Sequence, residues 1–293
     1  MTSGRPVETP RRALLTGGAA ALLLGGSASE PDFAGLEART GGRLGVSALD
    51  LSSGRRLGYR ANDHFPLCST FKVLLAAAVL ARVDAGQEAL DRRIAVSRAD
   101  LVAYSPVVEA HVDGALTVEA ACEAIMTVSD NAAANLLLRT VGGPAGLTLY
   151  MRAVGDRITR LDRYEPELNV VPAGDTRDTT TPTAMVDTLR RLLTSQALAP
   201  ASRARLAAWM VAASTGVRRL RAATPAGWRA GDKSGTWAGQ AKSVNDVAAF
   251  WPPGGGLVLV AAYLTNAAAE LAACEAVLAD AGRLALQAFG ERA

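Results

Sequence analysis

The segments with strand character in this chain lie near its two ends, and a long helical stretch separates them. Near the beginning, residues 44–51 alternate apolar and polar side chains, and residues 55–60 follow a Ser-Ser-Gly turn, which predicts a β-hairpin. Strand character returns at residues 228–237, 243–251 and 257–265. All five segments can belong to one antiparallel sheet if both ends of the chain meet in it. The sequence therefore predicts an α/β (α+β) fold with a helical lobe inserted after the first hairpin.

Helical patterns account for most of the remaining chain. We expect helices over residues 33–41, 69–81, 117–126, 131–141, 183–193, 200–213 and 268–289. The first and last helices would flank the five-stranded sheet as one lobe, formed by residues 29–60 and 214–293. Residues 61–213 would form an all-helical lobe. Within it, residues 161–181 show no periodicity, and a loop of this length inside a compact domain is usually functional.

The first 28 residues have the features of an export signal. Arg11 and Arg12 precede a short apolar core, and small residues follow where a signal would be cleaved. The paired arginines resemble a twin-arginine signal, and the core is too short to be a stable membrane anchor. We therefore expect an exported protein, secreted or periplasmic, that uses the twin-arginine route.

Charge and cysteine content exclude several classes of partner. The formal net charge is +3, of which the first 28 residues contribute three arginines and one glutamate, and the other arginines are scattered. This pattern gives no indication of a nucleic-acid partner. Cys68, Cys122 and Cys274 are odd in number and widely spaced, so we expect buried thiols and no metal site. Neither His64 nor His111 has the context of a Ser-His-Asp triad.

Ser69 and Lys72 form the first motif with a chemical interpretation. They are three residues apart at the start of a predicted helix, so they would share one face of it. Only three of the 31 basic residues are lysines, and one of them accompanies this serine. A buried lysine can lose its proton, whereas an arginine cannot. The pair therefore predicts a nucleophilic serine with a lysine base, although an isolated Ser-x-x-Lys is more often a helix cap followed by a surface lysine.

Three further motifs lie where the predicted elements end. They are Ser129-Asp130-Asn131 between two helices, Glu165-Pro166-Glu167-Leu168-Asn169 in the long loop, and Lys233-Ser234-Gly235-Thr236 on the first returning strand. Each motif alone is a weak signal, but all of them in this order are improbable by chance. Together with Ser69-x-x-Lys72, the set resembles that of the class A serine β-lactamases, with their β-lactamase/transpeptidase-like fold. The resemblance covers nearly the whole chain after residue 28, and Ser234 replaces the usual threonine while keeping its hydroxyl.

The resemblance implies hydrolysis of the β-lactam ring of penicillins and cephalosporins, and hence antibiotic resistance. Ser69 would form the acyl-enzyme, and the backbone N–H groups of Ser69 and Thr236 would form the oxyanion hole. Ser129 would pass a proton to the lactam nitrogen, and Glu165 would activate the water that hydrolyses the ester. Either Lys72 or Glu165 would be the base for acylation. The family implies a monomer that needs no cofactor, with a small-molecule β-lactam as its partner.

The resemblance also implies a set of substrate-binding residues. These are Asn131, Asn169, Lys233, Ser234, Gly235, Thr236, Arg219 and Tyr104. Lys233, Ser234 and Thr236 would hold the substrate carboxylate, with Arg219 directed toward it. Asn131 would bind the acylamide side chain, and Tyr104 would be the aromatic residue at the mouth of the cleft. An ion pair between Arg163 and Asp178 would close the neck of the long loop.

Two departures from the family bear on the substrate. Trp237 stands where some carbapenem-hydrolysing members have a cysteine paired with the one that matches Cys68. Cys122 likewise faces Ala76 in place of its disulfide partner in other members. We therefore expect three free thiols, which argues against carbapenem turnover. An acylated but non-hydrolysing protein, either a cell-wall D-Ala-D-Ala peptidase or a β-lactam sensor, is the alternative, although neither has a use for the Glu165–Asn169 loop.

Overall fold

The computed structural model describes residues 1–4, 31–239 and 241–290. Its helices are α1 (Phe33–Ala38), α2 (Phe71–Asp84), α3 (Val118–Thr127), α4 (Asn131–Thr140), α5 (Gly143–Val154), α6 (Pro182–Thr194), α7 (Pro200–Ala212) and α8 (Leu271–Gly290). Its strands are β1 (Arg43–Asp50), β2 (Arg56–Tyr59), β3 (Phe65–Pro66), β4 (Arg93–Val96), β5 (Gly114–Thr117), β6 (Thr179–Thr180), β7 (Arg229–Trp237), β8 (Lys242–Trp251) and β9 (Val258–Ala267). The predicted export signal lies, from residue 5 onward, outside the described residues. In the described ranges, no helix has both the length and the apolar character needed to cross a membrane.

The two ends of the chain meet in one sheet, as predicted. Five antiparallel strands follow the order β2-β1-β9-β8-β7. Strand β1 forms a hairpin with β2 on one side and pairs with β9 on the other, so that Val46 lies opposite both Tyr59 and Ala262. This arrangement confirms the predicted fold class and leaves β7 at the edge that borders the helical lobe.

Both faces of the sheet are buried. Along β9, Val260 and Ala262 pack in the core that contains residues of α1 and α8, whereas Leu259 and Ala261 pack in the core of the helical lobe. Successive side chains of a strand point to opposite faces, so a strand that is covered on both sides must be apolar at nearly every position. This requirement explains why the β9 sequence has no alternation of apolar and polar residues.

Helix α2 is the central helix of the helical lobe. Every residue from Phe71 to Leu80 is buried, as expected for a helix that is apolar all round. It begins at Phe71, two residues later than predicted, because Cys68, Ser69 and Thr70 form a single 3₁₀ turn. The backbone of Cys68 is left-handed, with φ of 43°, and Ser69 follows directly. Ser69 therefore lies at the junction between a tight turn and a rigid buried helix.

The helical lobe differs from the prediction in two respects. Helix α5 was not predicted, because the Gly-Gly-Pro segment at its start is also typical of a helix end, although proline is favoured in the first turn of a helix. The lobe is also not all-helical, since β3 pairs with β6 and β4 pairs with β5 in two short antiparallel ribbons. These strands have only two to four residues each, which is too short for a recognisable alternation.

The three cysteines are free and buried, as predicted. Burial raises the pKa of Cys68 to about 12, so this thiol stays neutral beside Ser69.

Candidate active site

A cleft of about 310 Å³ lies between β7 and the helical lobe. Its lining residues are Ser69, Tyr104, Ser129, Asn131, Asn169, Thr215, Ser234 and Thr236. All of them except Thr215 were predicted from the sequence. The four motifs therefore come together in one place, although more than 160 residues separate the first from the last.

Lys72 is the centre of the polar network in this cleft. Its Nζ lies 3.0 Å from Ser69 Oγ and 3.1 Å from Glu165 Oε1. The same ammonium donates to the backbone carbonyl of Ser129 at 2.9 Å and to Asn131 Oδ1 at 2.5 Å. Lys72 is fully buried, and burial lowers the pKa of its amine, whereas the Glu165 carboxylate opposes that change. The arrangement can therefore exchange protons between a serine hydroxyl, an amine and a carboxylate.

The Ser-Asp-Asn motif is rigid because of its central aspartate. Asp130 caps α4 by accepting a hydrogen bond from the Ala133 N–H, at 2.8 Å. Its other oxygen accepts hydrogen bonds from the N–H groups of Val107 and Val108. Ser129, immediately before it, has φ of 64°, an uncommon conformation for a serine. The cap thus fixes the direction in which Ser129 and Asn131 enter the cleft.

The long loop places Glu165 against Lys72 by means of a second asparagine. Asn135 of α4 accepts a hydrogen bond from the Glu165 N–H and donates one to the Glu165 carbonyl, both at 2.9 Å. Asn169 Nδ2 donates to Glu165 Oε2 at 2.6 Å. Asn169 Oδ1 is buried and has no partner among the described residues. The carboxylate and this amide oxygen form a group of acceptors beside Ser69.

The neck of the loop is closed by Asp178. Its Oδ1 accepts hydrogen bonds from the N–H groups of Asp162 and Arg163, and its Oδ2 accepts one from Arg163 Nε at 2.6 Å. Asp178 is fully buried. The ion pair that the family resemblance implied is therefore present, and the same carboxylate also anchors the backbone on the opposite side of the loop.

We expect the substitution Asp178→Asn to slow deacylation about a hundredfold while acylation changes far less, because a small displacement of Glu165 would misplace the carboxylate that the family resemblance assigns to activation of water. Asparagine tolerates the left-handed backbone found here, with φ of 56°, so the effect would come from the lost ion pair. Rapid-mixing kinetics with benzylpenicillin would measure the two steps separately. Asp175→Asn, which removes a surface pair with Arg177 in the same loop, is the matched control. Equal losses in both steps would contradict this account of the loop.

Lys233 is the second buried lysine of the site. Its Nζ donates to Ser129 Oγ at 3.1 Å and to the carbonyl of Ser234 at 2.8 Å. Burial and the nearby Lys72 cation lower the pKa of Lys233 to about 7. On the opposite face of β7, the hydroxyls of Ser234 and Thr215 are hydrogen-bonded at 2.7 Å. The hydroxyls of Ser234 and Thr215 thus line one wall of the cleft, and the buried Lys233 ammonium contacts the cleft through Ser129 Oγ.

Gly235 allows β7 to approach Ser69. A Cβ atom at this position would lie 3.1 Å from each of Cys68 Cβ, Leu67 O and Ser69 N. Few real Cβ atoms have contacts as short as these, so only glycine fits here without displacing the turn. The glycine therefore keeps the backbone of Thr236 close to that of Ser69, as a two-donor oxyanion hole requires.

Arg219 is buried behind β7 and contacts the cleft through Thr236. Its guanidinium donates to Thr236 Oγ1 at 2.7 Å and to the carbonyls of Gly235 and Asn245 at 2.9 Å. Glu275 of α8, which is also buried, lies 3.3 Å from the same guanidinium. The sequence indicated this arginine but not the glutamate that holds it.

Tyr104 and Trp237 lie at the rim of the site. Tyr104 is 60% exposed, with φ of 62°, and lines the cleft mouth. Its carbonyl accepts a hydrogen bond from the Asn131 N–H at 3.0 Å. Trp237, at the end of β7, is half-buried and shields Gly239, where a Cβ would lie 2.5 Å from the indole nitrogen.

Three residues of the site were not found by sequence reasoning. They are Asn135, Thr215 and Glu275. Asn135 and Glu275 could have been found from the sequence, because each is a polar residue within an apolar part of a predicted helix. Both are buried in the structure, where a polar side chain needs a partner. Thr215 has none, because a threonine in a loop is ordinary.

Comparison with known proteins agrees with this site. Residues 29–289 match the model of the β-lactamase enzyme family. Among solved structures, an ancestral class A β-lactamase is 57% identical, with a TM-score of 0.85, and the match covers 87% of this chain and 98% of that one. The class A β-lactamase of the last common ancestor of Gram-negative bacteria is 56% identical, with a TM-score of 0.85 and coverage of 88% and 97%. A β-lactamase from Xanthomonas campestris is 48% identical, with a TM-score of 0.83 and coverage of 86% and 94%.

The motifs, their convergence around Ser69 and these similarities all indicate the same protein family. The chain therefore belongs to the class A serine β-lactamases, which hydrolyse the β-lactam ring.

Proposed function

We propose that Ser69 attacks the β-lactam carbonyl and that the ring opens to give an ester on Ser69 Oγ. The hydroxyl proton would pass to the unit formed by Lys72 and Glu165, whose contacts of 3.0 and 3.1 Å join it to the nucleophile. The N–H groups of Ser69 and Thr236 would stabilise the oxyanion. The single observation that carries this proposal is that Lys72 Nζ contacts both the nucleophile and the loop carboxylate.

The leaving nitrogen of the lactam needs a proton, and we assign its delivery to Ser129. Its hydroxyl lies 3.3 Å from Lys72 Nζ and 3.1 Å from Lys233 Nζ, so it connects the two buried amines. Loss of a proton from Ser129 to the lactam nitrogen can be compensated from Lys72, which burial makes a weaker base than an exposed lysine.

Hydrolysis of the ester would be the task of Glu165 and Asn169. Asn169 Oδ1 is a buried acceptor without a hydrogen-bond partner among the described residues, and Glu165 Oε1 has the Lys72 ammonium as its one neighbouring donor there, at 3.1 Å. A water bound to these two oxygens would lie beside the ester and could lose its proton to Glu165. The hydrolysed product then leaves, and Ser69 recovers its hydroxyl proton.

We assign the substrate carboxylate to the wall formed by Lys233, Ser234, Thr236 and Thr215. Arg219 would act on this wall through its hydrogen bond to Thr236 Oγ1. Gly235 contributes by its small size. Asn131 and the exposed ring of Tyr104 would receive the side chain on the other side of the ring. A free Cys68 and the bulky Trp237 favour penicillins and cephalosporins over carbapenems as substrates.

We further propose that the protein is exported by the twin-arginine route and acts as a monomer. The paired arginines of the first 28 residues support export, and membership of the class A family supports a monomer. Light scattering of the mature protein would give its mass in solution.

Steady-state turnover tests the hydrolase against its alternative, a peptidase or sensor that is only acylated. A trace of purified protein is mixed with a large excess of benzylpenicillin, and loss of the lactam is followed. We expect many equivalents to be consumed, and none by the Ser69→Ala control. Consumption of a single equivalent would mean that the protein traps β-lactams, and the proposal would fail.

A further inference from the structure

Two buried carboxylates lie behind the carboxylate-binding wall and have no part in the mechanism above. Asp232 of β7 and Asp246 of β8 are both fully buried. In the register of the sheet, Asp232 lies opposite Ala248 and Asp246 lies opposite Ser234, so the two acids are diagonal neighbours on one face. This face is covered by the segment of residues 214–223, which contains Thr215 and Arg219.

The covering segment forms a hydrogen bond with Asp246 and an ion pair with Asp232. The N–H of Leu220 donates to Asp246 Oδ2 at 3.0 Å, and Arg221 forms an ion pair with Asp232. A Cβ atom added at Gly216 would lie 1.7 Å from Asp232 Oδ2 and 3.4 Å from Asp246 Oδ1, so both oxygens are turned toward the α-carbon of this glycine. Only glycine leaves room for them there.

If Asp232 and Asp246 were both ionised, the surrounding hydrogen-bond donors and cations would not balance their two negative charges. Asp232 Oδ2 and Asp246 Oδ1 accept no hydrogen bond from any described residue. The cations around the pair are Arg221, Lys233 and Arg219, and the last of these already faces Glu275. Tyr263 lies on the opposite face of the sheet, and its buried hydroxyl is neutral, so it does not balance the charge of either acid. Two like charges this close together in a buried site cannot both be stable.

We propose that Asp232 and Asp246 share one proton, that Asp246 Oδ1 donates it to Asp232 Oδ2, and that this pair positions the covering segment for the substrate carboxylate. Both unpartnered oxygens then gain a hydrogen bond, and Asp232 keeps its charge for Arg221. Burial raises the pKa of the Asp246 carboxyl well above its ordinary value, and the adjacent Asp232 carboxylate raises it further. Burial raises the pKa of Asp232 as well, but Arg221 and Lys233 oppose that change.

The shared proton has a consequence for binding. With Asp246 neutral, Asp232 is paired with Arg221, and Glu275 is paired with Arg218 at 2.8 Å and with Arg219 at 3.3 Å, so Lys233 is left to attract an anionic substrate. An ionised Asp246 would compete with the substrate for this positive potential. The inference rests on the proposed role of this wall in binding the substrate carboxylate, and Asp246 is a positioning residue within it.

Equilibrium unfolding tests the proton without any assay of activity. The native protein would keep one proton on this pair at pH values above the ordinary carboxyl pKa, where the unfolded chain has already released it. The proton therefore stabilises the native state fully at low pH, and this stabilisation is lost as pH rises. In urea unfolding between pH 5 and pH 7, the folding equilibrium constant of the unmutated protein should fall, relative to Asp246→Asn, by about tenfold per pH unit. The infrared band of a neutral carboxylic acid should be present at pH 7 and absent in Asp246→Asn. Parallel pH profiles and no such band would overturn the proposal.

Kinetics test the positioning role separately. Asparagine at position 246 keeps the neutral, polar character of the protonated acid, whereas leucine cannot bond to Leu220 N–H or Asp232. We expect KM for benzylpenicillin to rise about tenfold in Asp246→Leu and much less in Asp246→Asn, with kcat less affected in both. Asp232→Asn should be more harmful than Asp246→Asn, because it leaves Arg221 without its anion. Equal effects of the two asparagine substitutions would contradict the assignment of the proton to Asp246, whether or not the proposed mechanism holds.

Discussion

Replacing Lys72 by methionine will lower the rate of acylation by about a thousandfold, the size of effect expected when a general acid–base group is removed. Methionine fills the space of the buried lysine stem, but it cannot transfer a proton between Ser69, Ser129 and Glu165. It also leaves the buried Glu165 carboxylate without its cation, so some loss of stability should accompany the loss of rate.

Stopped-flow measurement of acyl-enzyme formation checks this prediction for Lys72. Lys242→Met is the matched control, because Lys242 is the one lysine outside the site and lies half-exposed at the start of β8. Lys72→Arg adds a second test, since it keeps the positive charge but cannot lose its proton. If the arginine variant acylated as fast as the unmutated protein, charge alone would explain the role of Lys72, and proton transfer would be excluded.

The substitution Gly235→Ala will lower kcat/KM by about a hundredfold or more, the usual cost of losing one oxyanion-hole donor. The added methyl group would press on Ser69 N and on Cys68 and Leu67 at 3.1 Å, and the strand edge would have to move away from the turn. Both acylation and deacylation pass through an oxyanion, so both steps should slow together.

A chromogenic cephalosporin gives kcat/KM for the Gly235→Ala variant. The control is Gly254→Ala in the β8–β9 turn, where a Cβ would meet no atom within 4 Å. A Gly235→Ala protein with unchanged activity would show that the approach of β7 to Ser69 is not needed for the reaction.

The parts of this site that can be predicted from the sequence are those whose residues lie close together along the chain. Ser69 and Lys72 are three residues apart, and a helix brings them together, so their spacing predicts their contact. The five-stranded sheet was predicted for a similar reason, because each strand has its own local pattern. The order of the motifs along the chain then allowed a family resemblance to supply the rest.

The parts that were missed depend on packing between distant segments. Glu275 meets Arg219 across 56 positions, and Asn135 meets Glu165 across 30. Neither spacing has a periodicity that predicts contact. The Asp232–Asp246 pair arises only from the register of β7 against β8, which a single sequence does not contain. Helix α5 was missed for a local reason, because its glycines and proline are typical both of a helix end and of a helix start.

The central claim is that one serine is acylated and that a separate carboxylate removes the acyl group. Intact-mass spectrometry of the Glu165→Ala variant after mixing with benzylpenicillin tests it most directly. We expect a stable adduct with the mass of one intact benzylpenicillin, located on the peptide that contains Ser69, while the unmutated protein shows no lasting adduct and consumes many equivalents. A Glu165→Ala variant that still turns over benzylpenicillin at the unmutated rate, or an adduct on any residue other than Ser69, would contradict it.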